Sequence, residues 1–417
     1  MATISYRRVL QLPQVPQVLA CACFSRLADR MFMVAIILYA LQRYGSPTFT
    51  GWVAFAAVFP GLIASPFSGV LLDRMRAPLA IAVDLLVMAC VLLALTVLDH
   101  AGQMGPALLI TLVTMGSLTG PLSASGIRVL IPRLVPDEGL ERANALDTGS
   151  FALIEVLGPA LGGTLIGFGG PAVTMLVIAS LYALAAISLI PVLRAAPHLA
   201  ADRSMSLLQA AVASVTYIVR HPSLRGLAIS YSVYQISWGV LVVVVPVAVT
   251  HALGSTANAD MVVGALWAGC GCAGALGAFV TGKVPLIGRG RGRQMIVFSF
   301  AIIGFTIYPL SASFGLFGLA TGLMVIGLLE GPADVALLTL RQRRTEPQWL
   351  GRVLTVSMCL NMSGLPLGSV IGGWLVTYSV DFALIVAAMA SLIAAIGAFL
   401  LIPAADESSD SKGGIPR

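Results

Sequence analysis

Twelve times along this chain the sequence runs for about twenty residues on almost nothing but apolar side chains, the length of helix that crosses the roughly 30 Å hydrocarbon core of a bilayer. Backbone placed in lipid must satisfy its own hydrogen bonds, so each run is expected to be a transmembrane helix. The spans are placed at 17–41, 48–72, 78–98, 105–127, 144–168, 171–193, 226–250, 260–283, 294–310, 314–340, 353–378 and 381–402. The apolar run 296–329 is too long for one crossing, and the break is expected at Tyr308-Pro309-Leu310-Ser311. Composition closes the alternative of a soluble globule: 58% apolar residues, 10% charged residues and a mean hydropathy of +0.95 exceed what a water-exposed surface tolerates. The expected fold class is an all-α integral membrane protein of twelve transmembrane helices.

The basic residues give an independent reading of topology, because short cytoplasmic loops collect Lys and Arg. Of 24 such residues, 21 fall in the termini and in alternate loops. The other three, Arg26, Arg30 and Arg43, lie in or just after the first span. Both termini are therefore expected in the cytoplasm and the chain in the inner (plasma) membrane. The net charge of +6 follows from this loop bias, so no nucleic-acid partner is inferred, and Arg289-Gly290-Arg291-Gly292-Arg293 reads as a loop anchor. No cleavable signal peptide is expected, since Arg26, Asp29 and Arg30 interrupt the first apolar run. All six cysteines fall inside predicted helices, and Cys21/Cys23 or Cys270/Cys272, two apart on a helix, point too far apart to chelate together. No metal, cofactor or disulfide is expected.

Between the second and third spans stands Gly69-Val70-Leu71-Leu72-Asp73-Arg74-Met75-Arg76, a short polar hinge. Glycine there admits close helix approach, the carboxylate caps or pairs across a helix end, and the arginines hold the turn at the headgroups. The chain also repeats itself. A shift of 210 residues lays Val156–Gly163 over Pro366–Gly373, and a shift of 213 lays Gly69 over Gly282 and Arg76 over Arg289. The expected organisation is a six-helix half at 1–193, a cytoplasmic linker at 194–225, a second six-helix half at 226–403 and a disordered cytoplasmic tail at 404–417. The linker includes an amphipathic segment, Leu207 to Arg220, expected on the inner membrane surface. Two such halves enclose a central cavity whose opening alternates as one rocks against the other.

These fragments carry a resemblance. Gly69, Leu71, Asp73 and Arg74, Gly158-Pro159-Ala160-Leu161-Gly162-Gly163, Ser25-Arg26-Leu27-Ala28-Asp29, Ile131-Pro132-Arg133-Leu134-Val135-Pro136 and Arg220-His221-Pro222-Ser223-Leu224-Arg225 occur in the order seen in the major facilitator superfamily. Over essentially its full length the chain resembles a twelve-helix member of the branch that includes enterobactin exporters and macrolide efflux proteins. The resemblance implies secondary active transport by alternating access, export of small hydrophobic or amphipathic molecules, and a monomer. It also implies gating by Gly69, Asp73, Arg74 and Arg76 of the hinge and by Gly158, Pro159, Gly162 and Gly163 of the fifth span. Departures are visible: Arg76 stands where glycine is usual, Ile154 replaces the first glycine of the fifth-span motif, and the fourth span lacks a mid-membrane arginine.

Charges inside the membrane carry the chemistry, because each costs several kcal/mol unless paired, protonated or wetted. Asp29, Glu155 and Glu330 each fall roughly 16 Å from the cytoplasmic helix ends, near the midplane. Arg26, Asp29 and Arg30 share one face of the first span, leaving a surplus positive charge whose partner is Glu155, Glu330 or an anionic substrate group. Burial favours the neutral form of Asp29 and the guanidiniums favour its carboxylate, a balance suited to proton exchange. The expectation is that Asp29 or Glu330 takes a proton from outside while Arg26 and Arg30 anchor carboxylates or substrate. A fixed ion-pair cluster tying the first span to a neighbour is the equal alternative.

Tyr231, Tyr234, Gln235 and Trp238 repeat at helical spacing in the seventh span, and Asn361 adds a polar group in the eleventh. They form either a cavity lining for an aromatic substrate or a packing face. Asp84 and Asp147 read as interfacial groups or partners of loop arginines, and Asp334 as a partner of Arg341 or water. An enzyme is not expected: the histidines His100, His198, His221 and His251 lie in loops or at helix ends, and no Ser/His or Cys/His dyad or phosphate loop emerges. Uptake, facilitated diffusion or a non-transporting receptor would use the same architecture.

Overall fold

The structure, a computed structural model, describes residues 5–74, 76–195, 207–254, 257–281, 290–346, 356–357 and 359–404. Among these residues every regular element is helical. The first part of the chain builds α1 (Tyr6–Leu10), α2 (Val15–Tyr44), α3 (Pro47–Arg74), α4 (Ala77–His100), α5 (Pro106–Leu134), α6 (Asp137–Ser188) and α7 (Ile190–Ala195). The second builds α8 (Leu207–Arg220), α9 (Pro222–Leu253), α10 (Ala257–Thr281), α11 (Arg291–Arg343), α12 (Gly364–Leu375) and α13 (Val380–Leu401). Further helical residues at 356–357 and 359–362 precede α12.

Eight stretches are long and apolar enough to cross a membrane among the described residues, and two of them, Leu153–Arg194 and Arg291–Arg341, span 42 and 51 residues. At 1.5 Å per residue those two are twice the bilayer thickness. Each turns back at a glycine, α6 at Gly170 (φ 73°, ψ 176°) and α11 at Gly315 (φ 55°, ψ −131°). With α2, whose charges keep it out of a purely apolar count, and the short α12, the crossings among the described residues number twelve. This is the expected all-α membrane fold.

One expected boundary is corrected. The turn in α11 falls at Gly315 rather than at Tyr308-Pro309-Leu310-Ser311, and Pro309 is carried inside the helix. Proline removes one hydrogen bond and kinks a helix, but reversing the chain needs a positive φ, which only glycine adopts at little cost. Gly318 then lets the returning arm close against the Leu310 carbonyl. In α6 the turn at Gly170 is followed by Pro171, favourably placed in the first turn of the new arm.

Positive-φ glycines also repeat with the sequence. Gly45 (φ 60°) and Gly254 (φ 78°) lie 209 residues apart, and Gly102 (φ 70°) and Gly315 (φ 55°) lie 213 apart, close to the shifts that align the two halves.

The chain divides into two compact units, Met1–Leu207 with Val249–Ala268 and Leu208–Ala248 with Gly269–Arg417. In the first, α2 lies along α6, and α4 packs between α5 and α6. The α2–α6 approach depends on missing side chains: a Cβ at Gly158 would overlap Arg30 Cβ, and one at Gly162 would stand 2.9 Å from the Met31 carbonyl oxygen and 3.2 Å from its Cα. The second unit repeats the device. Gly364, Gly368 and Gly372 of α12 sit against Ser232, Ile236 and Val240 of α9, two ridges with four-residue spacing and no side chain on one of them.

On α8, Ile218 is buried beside Leu224 and Ala228. Val212, Val215 and Val219 point outward, 57%, 38% and 51% exposed.

Candidate functional site

Three side chains of one α2 face organise the interior of the first unit. Arg26 forks onto Asp147 of α6, Nη1 to Oδ1 at 2.7 Å and Nη2 to Oδ2 at 3.1 Å, and also donates to the Asp147 carbonyl at 3.4 Å. Arg30 pairs with Glu155 of α6 at 2.5 Å. Both guanidiniums lie over Phe151, at 5.6 and 5.7 Å from the ring centre. Asp147, Phe151 and Glu155 are four residues apart in succession, a straight stripe on α6 that Gly158 and Gly162 continue. That stripe is the surface α2 packs on.

Accessibility separates the two pairs. The Arg26 and Asp147 side chains keep 15% and 18% of their surface, the Arg30 and Glu155 side chains 42% and 33%. The first pair is a nearly enclosed bidentate lock, the second is markedly more exposed.

Asp29, one residue before Arg30, bonds to neither arginine. Its Oδ1 accepts a hydrogen bond from Tyr182 Oη at 2.5 Å, from the returning arm of α6. Asp29 lies midway along α2, where the residue as a whole is exposed while protein surrounds its carboxyl group. Tyr182 itself is 1% exposed, so it is held by packing and offers its hydroxyl in one direction.

Sequence reasoning named Glu155 as one of three possible partners for the α2 charges, and the structure brings Arg30 to it. The partner expected for Asp147 is corrected: it pairs with Arg26 of α2 rather than with a loop arginine, because the α6 stripe carries it there. The four-residue spacing of Asp147, Phe151 and Glu155 was its signal. Tyr182 was missed, having no mark in sequence beyond being one hydroxyl in an apolar run. Asp84 of α4 is buried within the protein, at 2% exposure. Of the hinge, Gly69, Asp73 and Arg74 belong to the last turns of α3 with side chains outside the described residues, as is all of Met75. Arg76 precedes α4 and reaches the Leu193 carbonyl at 3.5 Å.

At the other end of α2, Asp99 of α4 accepts from Tyr39 Oη at 2.7 Å and from Arg43 Nε at 3.2 Å. Gln42 donates to Asp260 of α10 at 2.7 Å. Gly163, next to Gly162, meets Gly264, itself close to the Pro159 carbonyl.

The second unit holds its own polar cluster. Tyr231 Oη donates to Asp334 Oδ1 at 3.1 Å. Arg341 is 2% exposed, and with the Asn361 amide oxygen turned toward it, Nη2 donates at 2.8 Å while the Asn361 nitrogen donates to the Ser357 carbonyl at 3.0 Å. Tyr234 stacks on Phe300 with ring centres 4.2 Å apart and accepts from Trp238 Nε1 at 3.1 Å. Gln235 donates to Met362 Sδ at 3.3 Å. Tyr231, Tyr234, Gln235 and Asn361 are all buried, 3%, 1%, 7% and 4% exposed, while Trp238 and Glu330 are partly exposed. Tyr234 is thus an interior packing residue. Arg341, considered from sequence only as a partner for Asp334, also holds Asn361.

Relatives agree with this architecture. The uncharacterized MFS-type transporter y4rN of Sinorhizobium fredii (strain NBRC 101917 / NGR234) is 44% identical over 404 residues, covering 96% of this chain and 98% of its own. The solved nucleoside transporter NupG superimposes with a TM-score of 0.72 at 12% identity, over 94% of this chain and 100% of its own. A bacterial homologue of the iron transporter ferroportin gives 0.72 at 15% identity, over 93% and 98%. At these identities the two solved structures share the fold alone. Residues 18–364 match the Major Facilitator Superfamily, and with the y4rN relationship along nearly the whole length, the chain belongs to that family of multi-pass membrane transporters.

Proposed function

We propose that this transporter is a proton-driven exporter of small hydrophobic or amphipathic molecules, in the branch of enterobactin exporters and macrolide efflux proteins, and that Asp29 exchanges the coupling proton. The observation that carries this reading is the separation of roles on α2. Arg26 and Arg30 are each bonded to their own α6 carboxylate, while Asp29 is held by the Tyr182 hydroxyl and stands outside both ion pairs. A carboxyl so placed can lose and regain a proton without breaking the helix-to-helix locks. Binding a proton removes the charge that Tyr182 stabilises, and releasing it restores that charge, so occupancy is tied to the position of α2 against the second arm of α6. Each proton entering down the potential contributes about 2.3 kcal/mol per 100 mV.

The working unit is a monomer in the plasma (inner) membrane with both termini cytoplasmic. Its halves, 1–193 and 226–403, rock about the 194–225 linker. The loop bias of Lys and Arg and the paired left-handed glycines support that arrangement.

The test is a counterflow screen of hydrophobic and amphipathic compounds in proteoliposomes with an imposed pH gradient, run on the wild type and on Asp29→Asn. The wild type is expected to accumulate substrate against its gradient when the pH gradient is applied. Asp29→Asn is expected to keep substrate exchange and lose gradient-driven accumulation. Coupling that survives in Asp29→Asn removes Asp29 from the role, and binding without flux in the wild type removes transport itself.

A further inference from the structure

Behind Asp29 the first unit contains a second acid that the coupling reading does not use. Asp84, on α4, is 2% exposed, and its Oδ1 has no hydrogen-bond partner among the described residues. The groups that act on its charge come from three other helices. The Thr119 and Ser123 hydroxyls belong to α5, Asp29 and the buried thiol Cys21 to α2, and Tyr182 to α6. None of these is a cation, and Arg26 and Arg30 are engaged by Asp147 and Glu155. A buried carboxylate with no cation beside it is among the costliest groups a membrane protein can hold. The hydroxyls of Thr119 and Ser123 are themselves divided, since each also donates to a carbonyl of its own helix, Gly116 at 3.1 Å and Gly120 at 3.2 Å.

We propose that Asp84 is a second proton-binding carboxyl, seated behind Asp29 in the same helix bundle, whose occupancy is set against that of Asp29. The step is simple: a proton adds to a carboxylate oxygen of Asp84, forming an O–H bond and a neutral acid, and leaves by the reverse. Two carboxyls in one low-dielectric interior do not carry their charges independently, so a proton on one makes the charge on the other less costly. Tyr182 stands in the field of both, donating to Asp29. The first unit thereby has a relay of two acids and one hydroxyl, with Asp29 at the more exposed end and Asp84 at the enclosed end.

This inference adds a site to the coupling reading, and its test reads proton binding without any substrate, so either can fail while the other stands. Infrared difference spectra of the purified full-length protein are recorded in detergent as the medium is stepped between about pH 5 and about pH 9. A carboxylic-acid carbonyl band is expected in the wild type, absent in Asp84→Asn and shifted in Thr119→Val, which keeps the carboxyl but removes a facing hydroxyl. The band is also expected to titrate differently in Asp29→Asn. Because an amide imitates a neutral acid, the melting temperature of Asp84→Asn should stay within a few degrees of the wild type. Three results overturn the proposal. One is a spectrum unchanged in both Asp84→Asn and Thr119→Val, and another is a melting temperature that collapses in Asp84→Asn. The third is a sodium-dependent stabilisation, against choline, that Asp84→Asn abolishes, which would make the ligand a metal ion.

Discussion

Replacing Gly162 with alanine tests the α2–α6 seam on which the charge pattern rests. The added methyl would stand 2.9 Å from the Met31 carbonyl oxygen and 3.2 Å from the Met31 Cα. Carbon atoms rest at about 3.5–4.0 Å, so α2 must recede by roughly 0.3–0.8 Å, and because both neighbours are backbone atoms no rotamer change relieves it. Overpacking of this kind costs about 1–3 kcal/mol, offset by the 0.8–1.0 kcal/mol or so that alanine gains over glycine inside a helix. Gly120 of α5 supplies the internal control, having nothing within 4 Å of a built Cβ. Gly120→Ala keeps the propensity gain without the clash. The two variants should therefore differ by about 1–3 kcal/mol, read as melting temperature in one detergent at one pH, with Gly162→Ala the lower. Gly158→Ala should fall at the severe end of that range, since its methyl would overlap Arg30 Cβ. If Gly162→Ala melts with or above Gly120→Ala, the helices do not approach as described and the Arg30–Glu155 geometry loses its support.

Two further outcomes follow from the site. Arg26→Ala leaves Asp147 nearly enclosed and unpaired and should cost about 3–5 kcal/mol, whereas Arg30→Ala breaks a more exposed pair worth about 0–1 kcal/mol; equal melting temperatures for the two variants would contradict the burial contrast. Tyr182→Phe removes the donor to Asp29, a bond worth about 1.5–3 kcal/mol while the acceptor is charged. The gap between wild type and Tyr182→Phe should thus be present in alkaline medium and narrow as acid neutralises Asp29, and a gap that widens in acid would refute the bond.

The bilayer made most of the fold legible, because its thickness imposes one length on every crossing and a run of twenty apolar residues has few other uses. The turns were less so. The gap between the spans 144–168 and 171–193 held one of them, Gly170, yet Pro309 drew attention away from Gly315, since proline advertises a helix defect while only a positive φ reverses the chain. At the site, the α2 charges were visible as a face and Glu155 as a partner at matching depth. Tyr182 was invisible because its role depends on which side of an apolar helix meets α2, and that is decided by packing rather than by pattern. Arg341 and Asn361 stand 20 residues apart on different helices, and no local spacing announces their bond.

The glycines that turn the chain bear on how such a molecule is made. Gly45, Gly102, Gly170, Gly254 and Gly315 all follow odd-numbered crossings, so each lies at the tip of a hairpin made of an odd and an even crossing. The connections around them, such as Gly45-Ser46, Ala101-Gly102-Gln103-Met104-Gly105 and Gly169-Gly170, hold no charged residue. During biogenesis those five pairs of crossings would present the lipid with a hairpin whose tip is short and neutral. Tips of that kind are the cheapest polypeptide to push through hydrocarbon, which would let the chain enter its membrane two helices at a time.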